Sequence, residues 1–485
     1  MISKLIRLSC LFALGMQVHA GEIISPLSQT SGPTPFIRFV HLKLSDVGNL
    51  KYAEFQIAPK TGSMTRPIDV RYARSYLQRR GYLDTNGGLV TVPVFGLYAG
   101  RVNNVNVTVG FADGTSRRRS LAIQTPTYNG GTYSNPTVIQ PRLAGTTLSY
   151  DFILLKSYAD PTTPIIVDTD AEIRWVGTAG VGTQDVALFD NAFYLAAGTS
   201  LLRTEFDGVT TTLANYSSIG VTGFHHNIDP GKTGIILDVD TTDFTECVNL
   251  EVDAAGNVLK SWNLADIISS AMIARGDDPS SFVYPAPTDW FHNNATAYRA
   301  SDNSLIVSSR ENFVIAIDYD SGAIKWIMGD PTKKWHQFRS LRYFQLALGP
   351  DTLPPIGQHA VSISADKLLL FDDGTGSSFQ MPPGETRTYS ATRKYDLDLV
   401  NGKATEIYHY LADPSIYSPY CSSVYEDAPD NYVIDYTLGG PYIFTGLVGL
   451  DSLGNKAFEY RYQELDFCGT AWNAIQIHWE HLNLK

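Results

Sequence analysis

The chain has 485 residues, of which 12% are aromatic, 40 are glycine and 25 are proline, and its formal net charge is −12. That length exceeds one typical domain, and that acidity argues against nucleic acid or an anionic membrane surface as partner. Stretches with a 3.6-residue apolar period are nearly absent, which excludes a helical bundle and favours an all-β fold.

Residues 1–20, MISKLIRLSCLFALGMQVHA, combine a basic start (Lys4, Arg7), an apolar run too short to span a bilayer, and small residues Val18 and Ala20 at a cleavage-like end. They read as a secretory signal peptide cut after Ala20, which sends the chain to a periplasm or outside the cell. Loss of Lys4 and Arg7 takes the charge from −12 to −14, and Cys10 leaves with them. No later stretch is continuously apolar over some eighteen residues, so no membrane span is expected. Cys247, Cys421 and Cys468 remain, and in an oxidising compartment two of three usually pair. Cys421 with Cys468 is the expected disulfide, since both lie near the C-terminal end.

Residues 21–140 hold alternating segments such as FIRFVHLKL, YAEFQIAP, LVTVPVFGLY and NVNVTVGF, broken by turn signals such as FADGTS. This pattern predicts a small antiparallel β-sandwich. TPTYNGGTYSNPT then reads as a linker. Across residues 141–485 a hairpin recurs, in which an aspartate, a turn with glycine or a small polar residue and an apolar strand follow one another. Its six copies are DTDAEIRWVG, FDGVTTTLANY, DAAGNVLKSWNL, DYDSGAIKWIMG, DLDLVNGKATEIYHY and DSLGNKAFEYRY. Irregular spacing argues against a solenoid, whereas a propeller tolerates insertions within its blades. The expected architecture is a six-bladed β-propeller behind the sandwich. NLADIISSAMIARGDDPSS (263–281) has helical spacing, and together with the aromatic-rich segment 335–356 it is expected to roof one end of a central channel.

Aligned on the apolar run of each repeat, His226 in GFHHNID, His359 in GQHAV and Ser423 in CSSVYE fall at equivalent positions, and His292 in DWFHNNA takes the same part of another copy. In a propeller these positions converge on one mouth of the channel. Alternation puts His292 and Asn294 on one side of their strand and lets only one of His225 and His226 face inward. Repeat alignment favours His226, and matching Phe224 to Phe291 favours His225. Arg310 ends the strand SLIVSSR, where a buried guanidinium calls either for an acidic partner such as Glu311 or for a bound anion. Three converging histidines raise zinc, but an arginine beside them would repel a cation, so no metal is expected. No GxxxxGK phosphate loop is present, so no nucleotide cofactor is expected. Neutral imidazole, guanidinium, a second imidazole and an amide together suit sulfuryl or phosphoryl transfer through a covalent histidine.

FHHNID, DWFHNNA, IVSSRENFVIAIDYDSGAIKWIMGD and GQHAV followed by LLLFDDG resemble the bacterial arylsulfate sulfotransferases, which do not use phosphoadenosine phosphosulfate (PAPS). Trp290, His292, Asn294 and Arg310 meet the family pattern of a tryptophan, His-x-Asn and an arginine eighteen residues after that histidine. The resemblance implies a propeller, a homodimer, and a ping-pong reaction from a phenolic sulfate donor to a phenol acceptor. It makes His359 the transiently sulfated nucleophile, with His292, Arg310 and Asn294 at the sulfuryl oxygens, His226 as the remaining histidine with His225 as its alternative, and Ser423, or else Ser422, as a late hydroxyl. LLLFDDG has a second aspartate where the family carries asparagine, and this segment reads as turn chemistry. Rival classes are a propeller hydrolase of sulfate or phosphate esters and a non-enzymatic binding propeller.

Overall fold

The computed structural model describes residues 21–485, so the expected leader lies outside the described residues. The described chain is all-β, and its longest helix is only Leu264–Ile273. None of its helices is long and apolar enough to cross a membrane.

Two sheets use the strands from Ile23 to Gln124 together with the last strand of the chain. One runs in the order Ile23–Ser31, Ile37–Leu44, Leu89–Phe95, Leu83–Asp84; the other runs Leu482–Leu484, Ile68–Ala73, Leu50–Ile57, Val102–Phe111, Ser116–Gln124. Alternation along these strands sends Val40, Leu42, Phe55, Val105 and Val107 into one core. The last strand of the chain, Leu482–Leu484, pairs in parallel with Ile68–Ala73, so the C-terminal end returns to a sheet built from the first part of the chain.

Six further sheets follow, antiparallel but for the short edge strand Ala347–Leu348, which pairs in parallel with Lys403–Tyr410. Four strands of each, taken from its leading strand outward, start with Asn473–Ile477, Val186–Phe189, Val221–Pro230, Asn293–Arg299, His359–Ser364 and Ser423–Glu426. The first of these sheets joins the two halves of the chain: Asn473–Ile477 pairs with Phe152–Lys156, placing Phe152 opposite Ile477. From Val186–Phe189 to Asn473–Ile477, each leading strand contacts the next. The six recurrent hairpins are the third and fourth strands of the six sheets.

The repeated aspartate has one physical job. In every copy its Oδ1 accepts a backbone N–H two to four residues on, as Asp168 does from Glu172, Asp207 from Val209, Asp253 from Asn257, Asp318 from Ser321, Asp398 from Asn401 and Asp451 from Asn455. The carboxylate satisfies turn donors that the ladder cannot reach, which is why the signal survives in otherwise dissimilar repeats.

Trp479 locks the first group of sheets to the second. Fully buried, its ring lies 5.2 Å from Phe95 and 5.8 Å from Phe152, in strands of two different sheets, and 5.7 Å from Phe206, in the hairpin turn of a third. Trp479→Ala should therefore cost about 3–5 kcal/mol of stability through the cavity it leaves. Thermal unfolding checks this, and a Tm within a degree or two of wild type would refute the interlock.

Candidate active site

Near the N-terminal ends of several leading strands the backbone leaves the ladder. His226, His292, Ala360, Cys421 and Ser422 all have positive φ, between 52° and 76°. The register shifts between Phe224 and Ile228, between Asn293 and Ala295, and between His359 and Ser362. Non-glycine residues occupy this region seldom and at a cost, and here it turns side chains off the sheet face into one cavity of about 570 Å³. Alternation consequently fails as a guide. Both His225 and His226 line the cavity, against the expectation that only one could. Asn294, expected beside His292, instead lies fully buried and outside the lining.

His226, His292 and His359 come together. The Nε2 atoms of His226 and His292 are 3.1 Å apart, and the ring of His359 lies 6.5 Å from that of His292. Trp472 packs edge-on to His226 at 4.6 Å and to His359 at 5.6 Å. Arg310 is held across the hairpin, since its backbone N–H donates to the His292 carbonyl at 3.1 Å. Its Nη1 meets Glu311 Oε1 at 2.5 Å and Ser378 Oγ at 3.1 Å, and its guanidinium carbon sits 4.6 Å from the Tyr420 ring centre. Its Nε and Nη2 are buried without a partner. Glu311 thus pairs with one edge of the fork, and the remaining donors are the kind a tetrahedral oxyanion satisfies.

Glu246, which the sequence reading did not single out, lies among three imidazoles. Its carboxylate is 2.9 Å from His225 Nδ1, 2.9 Å from His292 Nδ1 and 3.5 Å from His226 Nδ1. Asp289 adds a second carboxylate 2.5 Å from His292 Nδ1 and accepts the His292 amide, while Asp240 pairs with His225. Burial alone would lower His292, but Glu246 and Asp289 outweigh it and raise its pKa to about 10. For His225, burial is likewise outweighed, by Asp240 and Glu246, and the value rises to about 11. His226 is pushed well below the ordinary value by burial, with the charges of His292, His225 and Arg310 adding to the effect. The 3.1 Å contact is then an imidazolium N–H of His292 donating to neutral His226. Donor atoms of His225, His226 and Glu246, and of Glu246, Asp289 and His292, lie within 4.8 Å of one another, close enough for a cation.

His359 is fixed differently. Its Nδ1 lies 3.0 Å from the Gly357 carbonyl, an acceptor only, so Nδ1 carries the proton and Nε2 keeps its lone pair. Burial, with His292 and Arg310 nearby, pushes its pKa well below the ordinary range and leaves it a neutral imidazole. Asp373, the second aspartate of LLLFDDG, is also fully buried and lies 2.9 Å from the same Nδ1 without accepting a hydrogen bond from it, so this segment packs against a histidine as well as making a turn. Gly357 has φ +63°, and a Cβ there would meet the Thr375 carbonyl at 2.6 Å.

Asn294 acts at one remove. Its amide donates to the Gln358 carbonyl at 2.8 Å, and the Gln358 side chain donates to the Ser309 carbonyl at 2.6 Å, which ties the residue before His359 to the strand before Arg310. Ser423 is buried outside the lining and accepts the Ala474 amide at 3.0 Å, and Ser422 bonds Ser418 at 2.6 Å. Neither serine offers its hydroxyl to the cavity.

The cavity wall is aromatic, with Tyr158, Phe379, Tyr420, Phe467 and Trp472. The expected disulfide, Cys421–Cys468, is formed and also lines the cavity, while Cys247 is a buried free thiol. Segments 263–281 and 335–356 do not line it; the helix Leu264–Ile273 instead packs Leu264, Ile268 and Met272 against Trp262, Trp290 and Phe282.

Replacing Glu246 by Gln removes the charge that holds the proton on His292. Because the His292 pKa is raised from 6.5, the stabilisation it contributes is complete below pH 6.5 and is lost as pH rises through about 10. Imidazole titration by NMR should show His292 titrating at lower pH in Glu246→Gln than in the native protein. An unchanged titration would remove Glu246 from this role.

A family model described as Arylsulfotransferase (ASST) matches residues 138–463. The arylsulfate sulfotransferase AssT of Escherichia coli O6:H1 strain CFT073 is 27% identical over 266 residues, covering 50% of this chain and 43% of the relative. The protein of the same description from Lelliottia amnigena is 26% identical over 261 residues, covering 50% and 39%. The matches thus span less than half the length of these curated relatives. Among solved structures, a Bacteroides thetaiotaomicron protein of unknown function aligns over 90% of this chain and 98% of its own at 12% identity with a TM-score of 0.29. Saccharomyces cerevisiae Sqt1 aligns over 75% and 83% at 9% identity with a TM-score of 0.31. With the family model covering Glu246, Asp289, His292, Arg310 and His359 alike, the chain belongs to the arylsulfotransferase family.

Proposed function

We propose that this protein is a PAPS-independent arylsulfate sulfotransferase that moves a sulfuryl group from a phenolic sulfate ester to a phenol by a ping-pong route through sulfated His359. The observation that carries this reading is the pairing, in one aromatic cavity, of a neutral imidazole whose Nε2 is unprotonated with a guanidinium whose Nε and Nη2 have no partner.

The donor's ring packs against the aromatic wall and its sulfate oxygens take the free donors of Arg310. His359 Nε2 attacks sulfur as the sulfur–oxygen bond to the ring breaks, and the bonding pair leaves on the phenolic oxygen. His292, at about 10, matches a phenol's reference pKa of about 10, so its proton passes to the leaving oxygen with little free-energy change. In the resting cavity neutral His226 accepts the Nε2 proton of His292, and that proton leaves this bond for the phenolic oxygen when the donor ester is in place. The acceptor phenol then returns its proton to His292, attacks sulfur and displaces His359. No metal or nucleotide enters these steps. Asn294 acts as a positioning residue through Gln358, and Ser423 supports the strand Asn473–Ile477 through the Ala474 amide.

The six sheets are read as the blades of a β-propeller, supported by their common strand order and by Asn473–Ile477, which completes the first sheet from the far end of the chain. Residues 21–140 then form a sandwich domain and 141–485 the propeller, except that Thr137–Gln140 joins the edge of the last propeller sheet beside Lys456–Gln463 and Leu482–Leu484 crosses back. The family resemblance supports a homodimer, and the leader-like residues 1–20 support export to a periplasm.

Initial rates with 4-nitrophenyl sulfate and phenol should give parallel double-reciprocal lines. Arg310→Ala should lose about 3 kcal/mol of transition-state stabilisation, roughly a hundredfold in kcat or more. Intersecting lines would exclude the covalent route, and an Arg310→Ala variant altered only in KM would make the guanidinium a uniform binding group. Because His292 must carry a proton, turnover should fall as pH rises through about 10.

A further inference from the structure

Tyr420 and Phe467 each face two cavities. Inward they close the cavity of about 570 Å³ that holds Arg310 and the histidines; outward they join Leu438, Tyr442, Glu464, Leu465 and Asp466 around a second cavity of about 580 Å³. The two rings stand 5.4 Å apart, so the cavities meet at an aromatic sill. Tyr442 is 52% exposed, Leu465 52% and Phe467 55%. Large apolar side chains gathered and exposed at the mouth of a cavity mark a binding surface.

Charge separates the two spaces. The inner cavity sets Arg310, His225 and His292 against Glu246, Asp289 and Glu311 and leaves two guanidinium donors of Arg310 without a partner, whereas the outer one is lined by two carboxylates and no cation. Glu464 accepts Thr445 Oγ1 at 2.5 Å and the Thr470 amide at 3.1 Å, and Asp466 accepts the Phe467 amide at 2.8 Å, so both are held at the rim by short-range contacts. Carboxylates accept hydrogen bonds from hydroxyls and repel anions. An anionic sulfate ester is therefore drawn to the inner cavity, and the outer one suits a neutral, hydroxylated aryl group.

We propose that the outer cavity is a subsite for the distal ring of a neutral two-ring phenol acceptor, gripped by Tyr442 and Leu465 and hydrogen-bonded through a distal hydroxyl to Asp466. The acceptor's proximal ring crosses the Tyr420–Phe467 sill to present its phenolic oxygen inside. The inference rests on the sulfuryl-transfer reading above and narrows its acceptor.

Transfer from 4-nitrophenyl sulfate is measured to phenol, to 4,4′-dihydroxybiphenyl and to 4′-hydroxybiphenyl-4-carboxylate. The neutral two-ring acceptor should have a kcat/KM about tenfold above phenol, the size expected of one added aromatic packing site. Leu465→Ala and Tyr442→Ala should each remove most of that advantage and leave transfer to phenol unchanged. The carboxylate acceptor should be disfavoured, and Asp466→Asn, which keeps the hydrogen bond from the Phe467 amide, should recover it. Equal kcat/KM for phenol and dihydroxybiphenyl, or variants that slow both acceptors alike, would overturn the subsite and leave the transferase reading standing. Absence of transfer to any phenol would overturn both.

Discussion

Glu246 is the charge on which the rest of the cavity depends. Four ionisable groups, His225, His226, His292 and Arg310, crowd a largely buried space, and four positive charges there would repel one another and pay full desolvation. One carboxylate facing three Nδ1 atoms lets His225 and His292 keep their protons, and their charges in turn help hold His226 neutral, as that of His292 does for His359. Two cationic and two neutral imidazoles within one cavity is the division of labour that acid and nucleophile require.

Geometry depends on a different device, repeated in several sheets. A left-handed residue near the N-terminal end of a leading strand breaks the ladder and aims a side chain at the cavity, at His226 and His292 directly and at Ala360 beside His359. Such backbone is costly by itself, and side-chain hydrogen bonds hold it. The Ser309 hydroxyl donates to the Phe291 carbonyl, Asn312 donates to that of Trp290 at 3.0 Å, and Asn294 and Gln358 brace the approach to His359. Residues of the motif that do not touch the cavity therefore position those that do.

The repeats, the all-β character, the disulfide and the set of His226, His292, Arg310 and His359 were legible in the sequence because each has a local or periodic signature. The turn aspartates show why: a carboxylate capping its own loop leaves the same mark in every copy. Roles that depend on distant partners were not legible. Glu246 sits in the unremarkable FTECV and becomes central only when the sheets bring three imidazoles to it. Asn294 was set beside His292 because strand alternation was carried into a segment where a positive φ reverses it, Ser423 was set in the cavity by repeat alignment although its hydroxyl serves the Ala474 amide, and Asp373 looked like turn chemistry because His359 lies fourteen residues earlier across a register shift.

The central claim is that His359 itself carries the sulfuryl group between donor and acceptor. The most direct test is to incubate the protein with 4-nitrophenyl sulfate without acceptor, digest it under mildly alkaline conditions and map the sulfated peptide by mass spectrometry. The account predicts a label on His359 that disappears when phenol is added and never forms in His359→Asn. A label on His226 or His292, or steady release of 4-nitrophenol with no labelled histidine, would contradict it.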